Sequence, residues 1–294
     1  MTAVLEPVAD APAPTAPAGG GRRRRRARSL PGLGRGSGAT LGVLMLWLTL
    51  IVLLPLAAVV AKAFGSGWGS FVDAITNREA ASALELTLGL ALVTALVNGV
   101  MGSLVAWVLV RERFRGAGLV ELVIDIPFAL PTIVAGLVLL AVYGPNSPFG
   151  VNIQGTRTIM FIALLFVTLP FTVRTVQPVL HDLDIAAEQA ASSLGASGFT
   201  VFRRIVLPQM LPAVVSGVGL SFARAVGEYG SLVLISSSIP FHTEIVPVQI
   251  YGDLQSVGPG YDQKAAALAT ILLLVSALAL VGLELLQRRM ARRG

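Results

Sequence analysis

Six stretches of this 294-residue chain carry no charged side chain: residues 36–61, 86–110, 126–143, 158–173, 205–223 and 265–283. A helix needs roughly 17 to 25 apolar residues to cross a hydrocarbon core about 30 Å thick, and each stretch approaches or exceeds that length. The fourth is the shortest. It extends toward Leu180 if Arg174 turns its guanidinium out to the interface while its stem stays in the apolar layer. The fifth is followed by a half-apolar tail reaching Phe241. The runs are continuously apolar, whereas barrel strands alternate at every second residue, so the pattern predicts helices. Pro55, Pro127, Pro131, Pro170 and Pro212 fall in or near these spans. Membrane helices tolerate proline where neighbours satisfy the freed carbonyls.

Composition agrees with lipid as the main solvent. Charged residues make up 13% of the chain and hydrophobic ones 54%, against about 25% charged in a soluble domain. An ordinary soluble enzyme is excluded, and so is a disordered chain, which needs low hydrophobicity. With no cysteine, disulfides, thiolate metal sites and cysteine nucleophiles are excluded as well. His181 and His242 are too few and too far apart in sequence for zinc, so no metal site is expected.

The net charge of +6 invites a nucleic-acid reading, but the arginines sit where topology would put them. Arg22 to Arg26, Arg28 and Arg35 precede the first span. Arg111, Arg113 and Arg115 follow the second, Arg174, Arg203 and Arg204 flank the loop between the fourth and fifth, and Arg288, Arg289, Arg292 and Arg293 end the chain. The alternate loops hold only Lys62, Arg78, Arg157 and Lys264, beside Asp73, Glu79, Glu244, Asp253 and Asp262. By the excess of Lys and Arg in cytoplasmic loops, both termini lie inside a six-span protein of the cell membrane. The bilayer is the partner this charge implies, not nucleic acid. Residues 1–35, rich in Ala and Pro and then in Arg, read as a disordered cytoplasmic leader ahead of a membrane domain over 36–294. Ala61-Lys62-Ala63 resembles a signal-cleavage site, but the apolar stretch before it far exceeds the 7 to 15 residues of a signal peptide.

The most informative segment is polar. Between Arg174 and Ile205 the loop contains HDLDIAAEQAASSLGASGFTVFRR. Ala186, Ala187, Ala190, Ala191 and Leu194 recur at helical spacing, and Asp182 and Asp184 suit a helix N-terminus. Gly195 offers a stop, and Phe199, Phe202 and Ile205 begin a second apolar stripe. A short helix, a glycine bend and another helix predict a shaped protrusion over about 181–208; an ordinary interfacial hairpin is the plainer alternative.

Gln189-Ala190-Ala191, three residues, Gly195, nine residues and then Ile205-Val206-Leu207-Pro208 resemble the EAA loop of ABC-importer permeases. That motif reads Glu-Ala-Ala, three residues, Gly, nine residues, Ile, any residue, Leu-Pro. The departure is Gln189 in place of the motif glutamate, with Glu188 just before it. The resemblance implies a type I ABC-importer permease of MetI-like fold, all-α, in which Glu188, Gln189, Ala190, Ala191, Gly195, Ile205, Leu207 and Pro208 form a coupling loop docked on an ATPase subunit. Either the lost charge weakens one polar contact there, or Glu188 replaces it. From about residue 40 onward, PFTVRTVQPVLHDLD, SFARAVGEYGSLVLISSSIPFHTEIVP and YGPNSPFG are similar to the CysT family of sulfate/thiosulfate permeases. Gly227-Glu228-Tyr229-Gly230 occurs in molybdate permeases too, so molybdate or tungstate is the alternative anion. Glu244-Ile245, Arg174 to Pro178 and Tyr261-Asp262 favour sulfate. The implied partners are a CysW-like second permease, an ATPase dimer and an extracytoplasmic sulfate-binding protein.

A P-loop requires Gly-Lys-Ser/Thr, and the lysines, Lys62 and Lys264, follow Ala and Gln. The chain is therefore expected to be a non-catalytic subunit that binds no cofactor, with ATP and Mg on the partner ATPase. Arg224 and Glu228, four residues apart, are the conspicuous charges of the fifth span. From Pro208 near the inner face, Arg224 lies roughly 24 Å along a helix, in the outer half of the bilayer. Intramembrane charges are functional candidates, so the pair either lines or gates an anion path or pins the span to its neighbours. Asp125 marks an inner gate or a helix end. His181, Asp182 and Asp184 are explained by capping, and the Gly and Ser around Asn98, Gly99, Gly102 and Ser103 by helix packing. A gradient-driven transporter would want ionisable groups at mid-membrane and no docking loop; a membrane-embedded enzyme would want a cluster of His, Asp or Glu. Neither pattern is present.

Overall fold

The computed structural model describes residues 35–291. The expected leader lies outside them apart from Arg35, as do Arg292 and Arg293 at the other end. The chain divides into two compact units, Met1–Leu53 and Leu54–Gly294. The described part of the first is helix α1 (Arg35–Leu48), continuing as a π-helical stretch over Thr49–Leu53. Its large apolar side chains, Leu44 and Trp47 among them, are exposed, as befits a helix that is hydrophobic all round and whose solvent is lipid.

The second unit is built of helices α2 (Leu54–Ala63), α3 (Trp68–Thr76), α4 (Arg78–Arg111), α5 (Ala117–Ala129), α6 (Thr132–Tyr143), α7 (Arg157–Asp182), α8 (Ile185–Ser193), α9 (Gly198–Val201), α10 (Leu207–Val226), α11 (Gly230–Ile235), α12 (Val246–Gln255) and α13 (Tyr261–Ala291). Among the described residues there is no strand. Local chemistry sets the ends. Asn77 Oδ1 accepts from Ala80 N–H at 2.9 Å to start α4, with Glu79 in its first turn and Arg111 in its last, the charge order that suits a helix dipole.

Among the described residues, five helical runs are long and apolar enough to cross a membrane: Thr40–Ala63, Arg78–Arg111, Arg157–Asp182, Gly198–Val226 and Tyr261–Arg289. A sixth exists only if α5 and α6 count as one span, and these two are bent by 116°. The third span expected over 126–143 is this bent pair: the helix begins at Ala117 and breaks at Leu130. Pro131 is the cause. A residue before proline is pushed out of the helical region, and Leu130 adopts φ −88°, ψ 135°. The fourth span runs on to Asp182, past Leu180, and Arg174 pairs with Asp125. The fifth stops at Val226, and the half-apolar tail forms the separate short helix α11 and a loop.

Helices α4, α7 and α10 form the packed centre. A Cβ on Gly102 or on Gly217 would come within 2.8 Å of Thr172, so the small residues of α4 and α10 serve close helix approach, as membrane helices that gain nothing from mutual apolar burial require. Asn98 Nδ2 donates to Thr168 Oγ1 at 2.8 Å and to Leu165 C=O at 3.2 Å. Ser221 Oγ donates to Thr168 C=O at 3.1 Å. The opposite face of α4, with Leu92, Leu96 and Val100, is exposed.

Candidate functional site

The loop after α7 folds into the expected hairpin, with one change at its start. Asp184, not Asp182, caps α8: its Oδ1 accepts from Ala186 N–H at 2.9 Å. Asp182 is the last residue of α7. At the other end Gly195 takes φ +86°, a conformation that costs glycine little. Gly195 N–H then donates to Ser192 C=O at 3.0 Å and Ala196 N–H to Ala191 C=O at 3.1 Å, closing the helix in a Schellman turn. Ser197 caps α9 by accepting from Thr200 N–H at 3.3 Å. A π-helical stretch over Phe202–Val206 leads into α10, with Pro208 in the first turn of that helix, where a missing N–H costs nothing.

Helix α8 buries none of its residues, and Ile185, Leu194 and Phe199 stand open beside it. One charged contact holds it. Arg111, at the end of α4, donates from Nη2 to Glu188 Oε1 at 2.5 Å and from Nη1 to Glu188 Oε2 at 3.4 Å, with both side chains less than one-fifth exposed. The guanidinium also lies 5.2 Å over the Trp107 ring, whose edge meets Phe202 at 5.4 Å. Glu188 is therefore the anchoring carboxylate. Gln189 is exposed and borders a cleft of about 710 Å³ with Glu188, Ser192, Ser193 and Phe202. Ala190 is exposed and Ala191 half-buried. Ile205 and Leu207 are half-buried, and Leu207 packs with the cluster of Val206, Met210 and Val176.

Arg224 and Glu228 meet, though not on one helix. Helix α10 ends at Val226, and Glu228 lies in the break before α11. Glu228 is 1% exposed: Oε1 accepts from Ser231 N–H and Ser231 Oγ, each at 3.0 Å, while Oε2 lies 3.0 Å from Arg224 Nη2. Arg224 remains 37% exposed. The break is packed main chain to main chain. A Cβ on Gly136 would come within 2.7 Å of Ser231 O, and one on Gly230 would overlap Thr132 Oγ1. Glycine at both positions lets α6 and α11 touch, so the helix after the break at Glu228 packs on the helix after the bend at Leu130.

Two networks are visible only in three dimensions. Near the hairpin end of α7, Arg174 Nε donates to Asp125 Oδ1 at 2.9 Å, and its Nη2 bonds Asp125 Oδ2. Arg174 Nη1 donates to Gln177 Oε1 at 2.9 Å, and Gln177 Nε2 donates to Glu121 Oε1 at 3.1 Å. Asp125 is thus a mid-helix clamp on α7, not a helix end. Opposite charges on consecutive spans were the available signal. At the other end, Lys264 Nζ lies 3.4 Å from both Glu79 Oε2 and Asp253 Oδ1. Burial, aided by the other carboxylates, raises the carboxyl pKa of Glu244 and of Asp253 against the opposing pull of Lys264. Among the described residues no group of three His, Cys, Asp or Glu side chains could hold a metal ion.

The chain has relatives among known proteins. Residues 98–292 match the family described as binding-protein-dependent transport system inner membrane component. The chain belongs to this family. It is 45% identical over 254 residues to the sulfate transport system permease protein CysT of Synechocystis sp., covering 84% of this chain and 87% of that one. The Salmonella typhimurium CysT is 40% identical over 260 residues, covering 86% and 92%. Among solved structures, a bacterial ABC transporter that imports the acidic polysaccharide alginate superposes with a TM-score of 0.71 at 17% identity, over 86% of this chain and 94% of that one. An amino acid ABC transporter gives 0.54 at 22% identity, over 71% and 92%. At those identities the likeness speaks to the fold, and the fold is that of ABC-importer permeases. As a binding-protein-dependent permease, the chain is a multi-pass membrane subunit and not an enzyme.

Proposed function

We propose that this permease forms half of the translocation path of an ATP-driven importer for sulfate or thiosulfate. What carries the reading is similarity over more than four-fifths of the chain to permeases named for sulfate transport. Both termini and the α8 hairpin face the cytoplasm, as the arginine distribution requires. Its partners are a CysW-like second permease, an ATPase dimer docked on α8 and an extracytoplasmic sulfate-binding protein. ATP and Mg stay on the ATPase, and this chain binds no cofactor. Closing the ATPase dimer draws the coupling helices together, the spans turn outward to accept the anion, and hydrolysis resets them.

Arg224 offers the passing anion its positive site. Glu228 is held by Ser231 and fully buried, so it fixes the guanidinium while leaving part of it accessible. The test is sulfate uptake into ATP-loaded vesicles holding this chain with all its partners, with thiosulfate and molybdate compared. Uptake is expected to need both ATP and the ATPase; uptake without either would sink the reading. An Arg224→Glu/Glu228→Arg exchange that transports at the parental rate would assign the pair to structure alone.

A further inference from the structure

Helix α7 connects the hairpin to the bent pair α5–α6. It runs without interruption from Arg157 to Asp182, and Leu183 and Asp184 then turn directly into α8. Two turns before that corner, Arg174 and Gln177 reach sideways to α5 and hold Asp125 and Glu121. One turn further from the hairpin, Phe128 sets its ring edge on Phe171 at 5.0 Å. Helix α5 is therefore fastened to α7 along one face by two polar contacts and one aromatic contact.

The fastening reaches almost to the end of α5: past Phe128 only Ala129 remains before Leu130 turns extended, where α5 and α6 meet at 116°. Helix α6 is held in turn. Its Gly136 lies so close to Ser231 that no side chain fits between them, and Ser231 donates twice to Glu228, which holds Arg224. A displacement of α8 thus has two routes to Arg224. The direct one is α10, which follows the hairpin and whose Ser221 bonds Thr168 C=O of α7. The indirect one runs along α7, across Arg174–Asp125, through α5 to the bend, and through α6 and α11.

We propose that the Arg174–Asp125 pair, with Gln177–Glu121 beside it, is the joint through which movement of the coupling helix reaches the bent pair α5–α6. These are positioning residues, acting through α5. Both charges of the pair are between one-third and one-half exposed, and the joint works by staying closed. The inference rests on the ATP-driven transporter reading.

The experiment uses the complete complex in vesicles, with uptake and ATP hydrolysis measured on the same preparation. Asp125→Asn and Arg174→Gln are expected to lower uptake by about tenfold, within the range of coupling free energies between distant sites, while hydrolysis continues near the parental rate. The Asp125→Arg/Arg174→Asp exchange is expected to recover most of the uptake. Because the chain has no cysteine, Glu121→Cys and Gln177→Cys can be joined by a short bis-thiol reagent. In the Asp125→Asn background, that cross-link should restore uptake. Hydrolysis that falls in step with uptake, unchanged uptake, or a cross-link without effect would overturn the joint. Parental vesicles that fail to take up anion with ATP would overturn both the transporter reading and the joint.

Discussion

Helices α8 and α12 are two short polar helices, each tied to the membrane body by charge, yet they are held in opposite ways. Helix α12 tucks Val246, Val248, Gln249 and Asp253 against its own chain. Val246 N–H donates to Thr87 Oγ1 of α4 at 3.0 Å, and Lys264 of α13 bridges Asp253 and Glu79. Helix α8 tucks in nothing and hangs on Glu188 and Arg111. A helix of nine residues is marginal alone in water and depends on packing for its stability. The difference says that α12 is finished by this chain, whereas α8 is capped at both ends and then left for another surface to cover.

Reversing the charge of the α8 anchor should break the comparison most forcefully. Glu188→Arg would set two guanidiniums together in a site four-fifths buried, where breaking a buried pair costs about 3 to 5 kcal/mol. Uptake by the complete complex should fall at least about tenfold, with recovery in the Arg111→Glu/Glu188→Arg exchange. A variant with parental uptake would mean that the ion pair does not position α8.

The α12 side is sharpened by pH. Glu244 and Asp253 have carboxyl pKa values raised by burial, with Glu79 adding to the effect and Lys264 opposing it. Each therefore binds its proton more tightly in the docked helix than in an unfolded chain. The stabilisation is present below the ordinary carboxylate range and is lost as pH rises through the raised values, by about tenfold for each unit of difference. Hydrogen exchange of α12 amides, corrected for intrinsic rates, should show protection declining over that window. Protection that grew with pH would contradict the assignment. The smallest effect is expected from Gln189→Glu, which restores the motif carboxylate at an exposed position while Glu188 already holds Arg111. Uptake should change less than about twofold, the scale of a surface charge contact; a large gain would show that Gln189 carries a docking contact of its own.

What could be read from sequence was mostly what neighbours along the chain decide. The α8 hairpin was legible because Asp184, Gly195 and Ser197 act on backbone groups a few residues away. Spans were legible because hydrocarbon admits only long apolar runs. The bend at Leu130 was half legible: Pro131 was in view, but whether neighbours would keep such a helix straight depends on packing. The Arg224–Glu228 contact followed from spacing, although the helix ends between them. Arg174–Asp125 was hinted at only by opposite charges on successive spans, since a bond between them depends on how two helices are rotated, which periodicity does not supply.

The bareness of α8 also makes the subunit a reporter of its own assembly. Ile185, Leu194 and Phe199 meet water when the permease stands alone and, on the proposed function, are shielded once the ATPase is seated. A solvent-borne protease or covalent label directed at this tip would therefore count unfinished transporters in a membrane without touching finished ones.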